Sequence, residues 1–434
     1  MKWLACGVGL ALLLGPSALA QAPGDVRIDI TGSGRRIRLL VEPLAPAGSQ
    51  VSTVPAAQAN EVLAHDLEWS GVFAVGRSWA GGQPDFEAQA VVGGRWTVQG
   101  NQVRLTGEVR DLPARRPILS REYRGTLKDW RSVLHRFADD VVLQFTGEPG
   151  VSGTRIAFVV QSGRTKELHV MDYDGARLTA LTADQSIALS PAWSPDASLL
   201  LFNSYRGGGG PRVFVIAQSG GKSHLISGRP GLNTSASYSP DGREIALTLS
   251  QDGNSEIYVV DARGASPRRL TNHRGIDTSP SWSPTGREIA FTSDRGGSPQ
   301  VYVMDREGGS LRRLTYEVNY TDSPAWSPRG DRIAFVARAG SGFDVYTALA
   351  DGTGAQVIAS GGSNENPRWS PDGRHLVFAS NRDGAFGLWV SDLDGTPLRK
   401  LDTGGRIALS PAWSPRPVGD GSALNLNVPP QPGR

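Results

Sequence analysis

Three regularities of the sequence predict an α/β amino-terminal domain followed by an all-β six-bladed propeller closed by an amino/carboxyl strand clasp. An aromatic-Ser-Pro motif recurs at Trp193, Tyr238, Trp282, Trp326, Trp369 and Trp413, at intervals of 45, 44, 44, 43 and 44 residues. Each full unit holds four short apolar runs separated by turns rich in Gly, Pro and Asp. The first and last units are incomplete in complementary ways. A fixed period of this size marks an array of like units, and four antiparallel strands in about 44 residues make one blade.

The 434-residue chain begins with a segment to be set apart from the fold. Lys2 supplies a positive region, residues 3–14 an apolar one, and Ala18-Leu19-Ala20 a small-x-small cleavage site, so residues 1–20 read as a secretory signal peptide. An apolar run of about twelve residues is short for a membrane span, and no later run reaches eighteen. The expected product is therefore an exported, soluble protein in an envelope compartment. The single cysteine, Cys6, lies in the leader, so the mature chain forms neither disulfide nor thiolate metal site.

Residues 21–150 lack the period and read as a small α/β domain. Alternation at 26–30 and 36–41 predicts strands, and 55–67 predicts a helix capped by Thr53, with Ala59, Val62, Leu63 and Leu67 on one side. Strands follow at 88–92, 96–109 and 118–123. A helix over 128–142 places Trp130, Val133, Leu134, Phe137, Ala138, Val141 and Val142 on one apolar face. These 130 residues carry 15 basic and 15 acidic side chains, and the whole chain only +3, which excludes the basic stripe of a nucleic-acid binder. The joint falls at 147–154, "GEPGVSGT".

The propeller is expected over 151–415. In each unit the aromatic strand ends in a turn such as Ser239-Pro240-Asp241-Gly242 or Ser370-Pro371-Asp372-Gly373, where proline presets the first corner and glycine takes the left-handed one. Second strands follow at 199–202, 245–248, 289–292, 333–336 and 376–379. Third strands follow at 256–260 and 300–304, and short Arg-Arg-Leu-Thr fourth strands at 268–271 and 312–315. A sixth second strand, 156–159, precedes the first aromatic motif, and the sixth aromatic strand ends at Trp413 with no second strand behind it. Pairing 411–414 with 155–160 completes a sixth blade and leaves no open sheet edge. Residues 416–434 form a Pro/Gly-rich tail. The loops from each outer strand to the next inner one, beginning at Asp184, Gly228, Asn272, Tyr316, Ser360 and Asp402, vary while the Ser-Pro turns barely do. Recognition is expected at that varied end.

No catalytic, metal or cofactor set emerges. His65, His135, His169, His224, His273 and His375 occur singly, with His65 and His135 expected as helix-surface groups, and no nucleophile elbow is present. Asp172-Tyr173-Asp174-Gly175 and Asp392-Leu393-Asp394-Gly395 lack the ligand set of a calcium loop and read as hairpin turns. Gly207 to Gly210 has no following Lys-Ser/Thr and reads as a hairpin tip. The fixed phase of the aromatic series assigns it to blade packing, not to sugar stacking.

These blades, with the stretches "DVRIDI" from Asp25, "ADDVVLQFTGEPG" from Ala138 and "GTRIAFVV" from Gly153, resemble the TolB family, periplasmic components of the Tol-Pal envelope system. The resemblance covers essentially the whole mature chain. It implies a noncatalytic adaptor whose propeller binds the peptidoglycan-associated lipoprotein Pal and whose amino-terminal segment engages TolA during cell division. The positions it implies for Pal are Leu232, Asn233, Thr234, Ser235 and Thr278; for TolA they are Asp25, Val26, Arg27, Ile28, Asp29 and Ile30. The rival classes are a secreted propeller enzyme and a glycan-binding module acting on oligosaccharides.

Overall fold

A computed structural model of the chain describes residues 36–46, 56–79, 87–393 and 398–417. The leader, the TolA-directed residues 25–30, the Thr53 cap, Asp394-Gly395 and the tail beyond residue 417 lie outside them. All described residues belong to one contact-linked unit.

The amino-terminal module is a mixed sheet with two helices. β1 (Ile37–Val41) buries Ile37, Leu39 and Val41 and exposes Arg38, the alternation of a strand with one covered face. β2 (Ala45–Pro46) follows, then α1 (Ala56–Trp69) and β3 (Phe73–Arg77), which returns parallel to β1. No strand is expected at β3 from the sequence. Its few residues alternate too briefly, and their place is set by pairing with β1.

β4 (Ala90–Gln99), β5 (Gln102–Asp111) and β6 (Arg116–Thr126) complete the sheet in the order β3-β1-β4-β5-β6. The single strand expected over 96–109 is therefore two. Gly100, at φ +56°, and Asn101 turn the chain within two residues, so Gln99 faces Gln102. A short 3₁₀ turn (Leu127–Asp129) leads into α2 (Trp130–Thr146), which ends four residues beyond the expected boundary at the left-handed Gly147. Leu63 and Leu67 of α1 and Phe137 and Val141 of α2 are fully buried over Leu39, Val92 and Leu105 of the sheet. Gly107 of β5 allows that approach, because a Cβ there would lie 2.6 Å from the Phe137 ring.

Six four-stranded antiparallel sheets follow. The second one shows the pattern: Asn233–Tyr238, Glu244–Leu249, Glu256–Asp261 and Arg268–Arg269. Its Arg-Arg-Leu-Thr strand is only two residues long. Leu270 turns into the core, and Thr271 Oγ1 accepts from Ile257 N at 2.9 Å while donating to Glu256 Oε2 at 2.6 Å. The sixth sheet joins Ile407–Trp413 to Arg155–Ser162, with Trp413 opposite Ile156, and continues to Thr165–Asp172 and Thr179–Ala180.

Apolar side chains cluster between neighbouring sheets: Phe202 and Leu200 meet Leu168 and Val170, and Phe291 meets Val259. The aromatic of every Ser-Pro motif sits in such a seam, 7–8% exposed. Three indoles also donate across the seam: Trp193 Nε1 to Ala412 O (3.0 Å), Trp282 Nε1 to Ser237 O (3.3 Å) and Trp369 Nε1 to Ala325 O (2.8 Å). Rings so enclosed hold sheets together and offer no platform to a sugar.

Each inner strand carries one irregularity. Ser190, Ser235, Ser279, Ser323, Asn366 and Ser410 have φ between 47° and 55°, and the pairing register shifts at each. These are β-bulges, in which one extra residue takes the left-handed conformation and increases local twist. Serine, or asparagine at Asn366, before Pro or Ala marks them in the sequence.

A buried polar junction fixes the module to the ring. Asp66 of α1 receives Tyr173 Oη on Oδ1 at 2.7 Å, and His135 Nδ1 of α2 lies 2.7 Å from its Oδ2. Arg131 pairs with Asp174, and Trp69 meets the Tyr173 ring edge-on at 6.1 Å. A second group joins Arg36, His375 and Arg399 on Asp392. His135 is thus 2% exposed, not a helix-surface group, because the α2 face that carries it is pressed between α1 and the sixth sheet. His65 is half-buried and packs tilted against Trp69 with centroids 4.3 Å apart.

Candidate functional site

The alternation of strand direction sorts the loops into two ends. An inner strand runs from a varied loop to a Ser-Pro turn. The Ser-Pro turns therefore share one end with the third-to-fourth hairpins, and the varied loops share the other with the second-to-third hairpins. Every named contact of the amino-terminal module falls at the first end. Tyr173, Asp174 and Asp392 lie in third-to-fourth hairpins or at their edges, while Arg329 and Arg374, which pair with Glu148, lie in Ser-Pro turns. Among the described residues, the varied-loop end is left uncovered by the module.

That end exposes apolar side chains. Leu232 is 44% exposed, Ile276 52%, Tyr316 70%, Tyr205 41% and Ile407 39%. The first three lie in consecutive varied loops, and Arg313 lies 4.8 Å from the Tyr316 ring centroid. Large apolar groups gathered on a rigid rim are a feature of interaction surfaces. Ile276, Tyr316 and Tyr205 go beyond the positions expected from the sequence, where their signal is an apolar residue inside an otherwise polar, variable loop.

The five Pal-directed positions have different roles in this geometry. Leu232 projects from the rim. Asn233 is 1% exposed, and its amide is fully engaged. Its Oδ1 accepts from Ser227 Oγ (2.6 Å) and Arg229 N (3.0 Å), and its Nδ2 donates to Arg229 O (2.8 Å) and Gly231 O (3.2 Å). Asn233 therefore shapes the 228–233 loop from beneath. Thr234, Ser235 and Thr278 are half-buried on the inner strands, where Thr278 pairs with Thr292.

Equivalent positions repeat the anchoring device. Asp277 Oδ2 accepts from Arg295 Nη2 at 2.7 Å, and Asn364 Oδ1 accepts from Arg382 Nη2 at 2.7 Å. Burial raises the Asp277 carboxyl above the usual carboxylate range despite that arginine. Asn233 and Asn364 thus tie down the loops before their strands, while Asp277 holds Arg295 of the adjacent second-to-third hairpin.

One group at the opposite end has metal-like spacing. Ligand atoms of Asp66, His135 and Asp174 lie within 4.8 Å of one another. Asp66 is already bonded to Tyr173 and His135, and Asp174 to the Arg131 guanidinium. These partners make the group the internal junction described above. Among the described residues, no helix is long and apolar enough to cross a membrane.

Comparison with known proteins adds to this geometry. Residues 142–417 match the family described as the TolB beta propeller domain. The Tol-Pal system protein TolB of Desulfosudis oleivorans is 37% identical over 172 residues, covering 40% of this chain and 39% of that protein. The Tol-Pal system protein TolB of an Anaeromyxobacter species is 37% identical over 258 residues, 56% of this chain and 58% of the relative. The chain thus spans between two and three fifths of the length of these relatives. The crystal structure of TolB from Acinetobacter baumannii superposes with a TM-score of 0.78 at 26% identity, covering 88% of this chain and 97% of that one.

Proposed function

Because this chain belongs to the TolB β-propeller domain family, we propose that it is a noncatalytic periplasmic adaptor of the Tol-Pal envelope system. In this reading it binds Pal at the open end of the ring and TolA through Asp25, Val26, Arg27, Ile28, Asp29 and Ile30. It thereby supports outer-membrane integrity and constriction during division. The observation that carries the Pal assignment is the exposed Leu232, Ile276 and Tyr316 rim, on the end away from the amino-terminal module. Apolar anchors at the centre of a rigid surface contribute most of the affinity in protein docking, and the polar rim sets partner choice. Leu232 and Thr278 serve as contacts, while Asn233 maintains the loop that presents them.

The test compares soluble Pal binding to the wild type and to a Leu232→Arg, Thr278→Arg double variant, with circular dichroism and melting as controls for folding. Affinity is expected to fall by about a hundredfold. A normally folded variant that binds Pal as well as the wild type would remove the open end as the docking face. Deleting residues 21–35 is expected to abolish TolA binding and to leave Pal binding intact. Retained TolA binding would refute that half of the assignment.

A further inference from the structure

The ring encloses a cavity of about 450 Å³, lined by the aromatic-Ser-Pro segments of all six sheets. The residue just before each aromatic is Ala192, Ser237, Ser281, Ala325, Arg368 or Ala412. Five are small, and among the described residues Arg368 is the only charged side chain lining the cavity. Its signal was present in the aligned repeats, as the one large residue at a position otherwise held by Ala and Ser.

Arg368 makes no ion pair among the described residues. Its one hydrogen bond runs from Nη1 to the carbonyl of its own neighbour, Pro367, at 2.8 Å. Arg368 is half-buried. Burial lowers its pKa to about 10, with the Asp322 carboxylate acting against that shift, so the guanidinium is still charged at neutral pH. Asp322 does not line the cavity. It accepts from Thr292 Oγ1 at 2.8 Å and from Ser323 N at 2.5 Å. A partly desolvated charge without an ion-pair partner is stabilised by a bound counter-charge.

The remaining wall supplies further donors. Ser190, Ser235, Ser237 and Ser279 line the cavity, and none of their hydroxyls makes a hydrogen bond within the described residues. The buried Tyr238 hydroxyl has none either. One guanidinium and several uncommitted hydroxyls, with no carboxylate in the wall among the described residues, suit a small anion that accepts several hydrogen bonds. Arginine's planar fork matches an oxyanion in particular.

We propose that the axial cavity is an oxyanion site centred on Arg368, which takes a carboxylate or phosphate group. The group is either a free ion or the acidic side chain or carboxyl terminus of an inserted peptide. This inference does not depend on the adaptor reading, because the cavity is described by its own wall.

The full chain is titrated with sodium phosphate, sodium acetate and a short Asp/Glu-rich peptide at constant ionic strength. Calorimetry and melting temperature are the readouts, with Arg368→Gln run in parallel. Saturable binding by at least one probe is expected, weakened about tenfold or more in Arg368→Gln. Saturation by phosphate or acetate identifies a free ion as sufficient, and saturation by the peptide alone identifies a chain-borne carboxylate. Absence of saturable binding by all three probes, or equal binding by Arg368→Gln, overturns the proposal. If Arg368→Gln does not fold, the Arg368 Nε–H resonance of the wild type decides. Movement with a saturating probe supports the site, and an unmoved resonance overturns it.

Discussion

Asn233 and Thr278 are both polar residues near the mouth of the ring, yet burial separates their roles. Asn233→Ala leaves Arg229 N, the Ser227 hydroxyl and two carbonyls without their partner. A loss of about 1–3 kcal/mol in urea unfolding is expected. Thr278→Arg, which breaks no described side-chain bond, is expected to change stability by less than about 0.5 kcal/mol. Equal stabilities for the two variants would contradict the division into loop anchor and surface contact.

His135 is a second residue whose role burial decides. Burial itself pulls its pKa down, but the charge and hydrogen bond of Asp66, with the charge of Asp174, outweigh that effect and raise it above 6.5. A group raised on folding adds stability below its unfolded pKa and loses it as pH rises through the folded value. The stability difference between wild type and His135→Gln is therefore expected to be largest below pH 6.5 and to shrink on the alkaline side. A difference that grows with pH would show that the imidazole is held neutral. Asp139, raised by burial to about 6, titrates nearby and feels the His135 charge, so its titration is followed in both proteins.

At the scale of the element, the inner strand is set by a conflict between its pleat and its bulge. Ser279 holds φ at 55°, a region that costs an ordinary L-residue about 1–2 kcal/mol and a β-branched one more. Ser279→Gly is expected to be neutral or stabilising by up to about 1 kcal/mol, and Ser279→Val to destabilise by about 2 kcal/mol or more. Denaturant midpoints of the two variants check the order; a tolerated valine would mean that the strand can pair without its bulge. The same local chemistry explains which elements were legible. The Ser-Pro turns and their flanking strands follow from proline, glycine and period-2 alternation within a few residues. β3 and the Gly100 hairpin were missed because the first is too short to show a period and the second interrupts two strands of like character.

For the whole molecule, the sixth sheet is built from segments about 250 residues apart in the chain. Trp413 is 7% exposed there, stacks near His375 at 6.2 Å between centroids and donates to Thr154 Oγ1 at 2.8 Å. Trp413→Ala removes that packing and the indole's hydrogen bond, while Thr154 Oγ1 keeps its bond to Val151 O, so a loss of about 3–5 kcal/mol is expected. Tryptophan-independent unfolding, followed by circular dichroism, measures it. A loss below 1 kcal/mol would mean that this seam adds little to the closed ring.

The sequence by itself determined the number and phase of the repeats, because each unit carries its own turns, strands and inter-sheet aromatic within about 44 residues. It also placed the varied loops on one end, through nothing more than strand alternation. Tertiary structure alone decided which end stays open. The Asp66, His135 and Tyr173 junction joins residues up to 107 positions apart, and no local pattern encodes it. It likewise decided that Asn233 is hidden and Arg368 faces a cavity, since exposure and pairing depend on what the rest of the chain brings alongside.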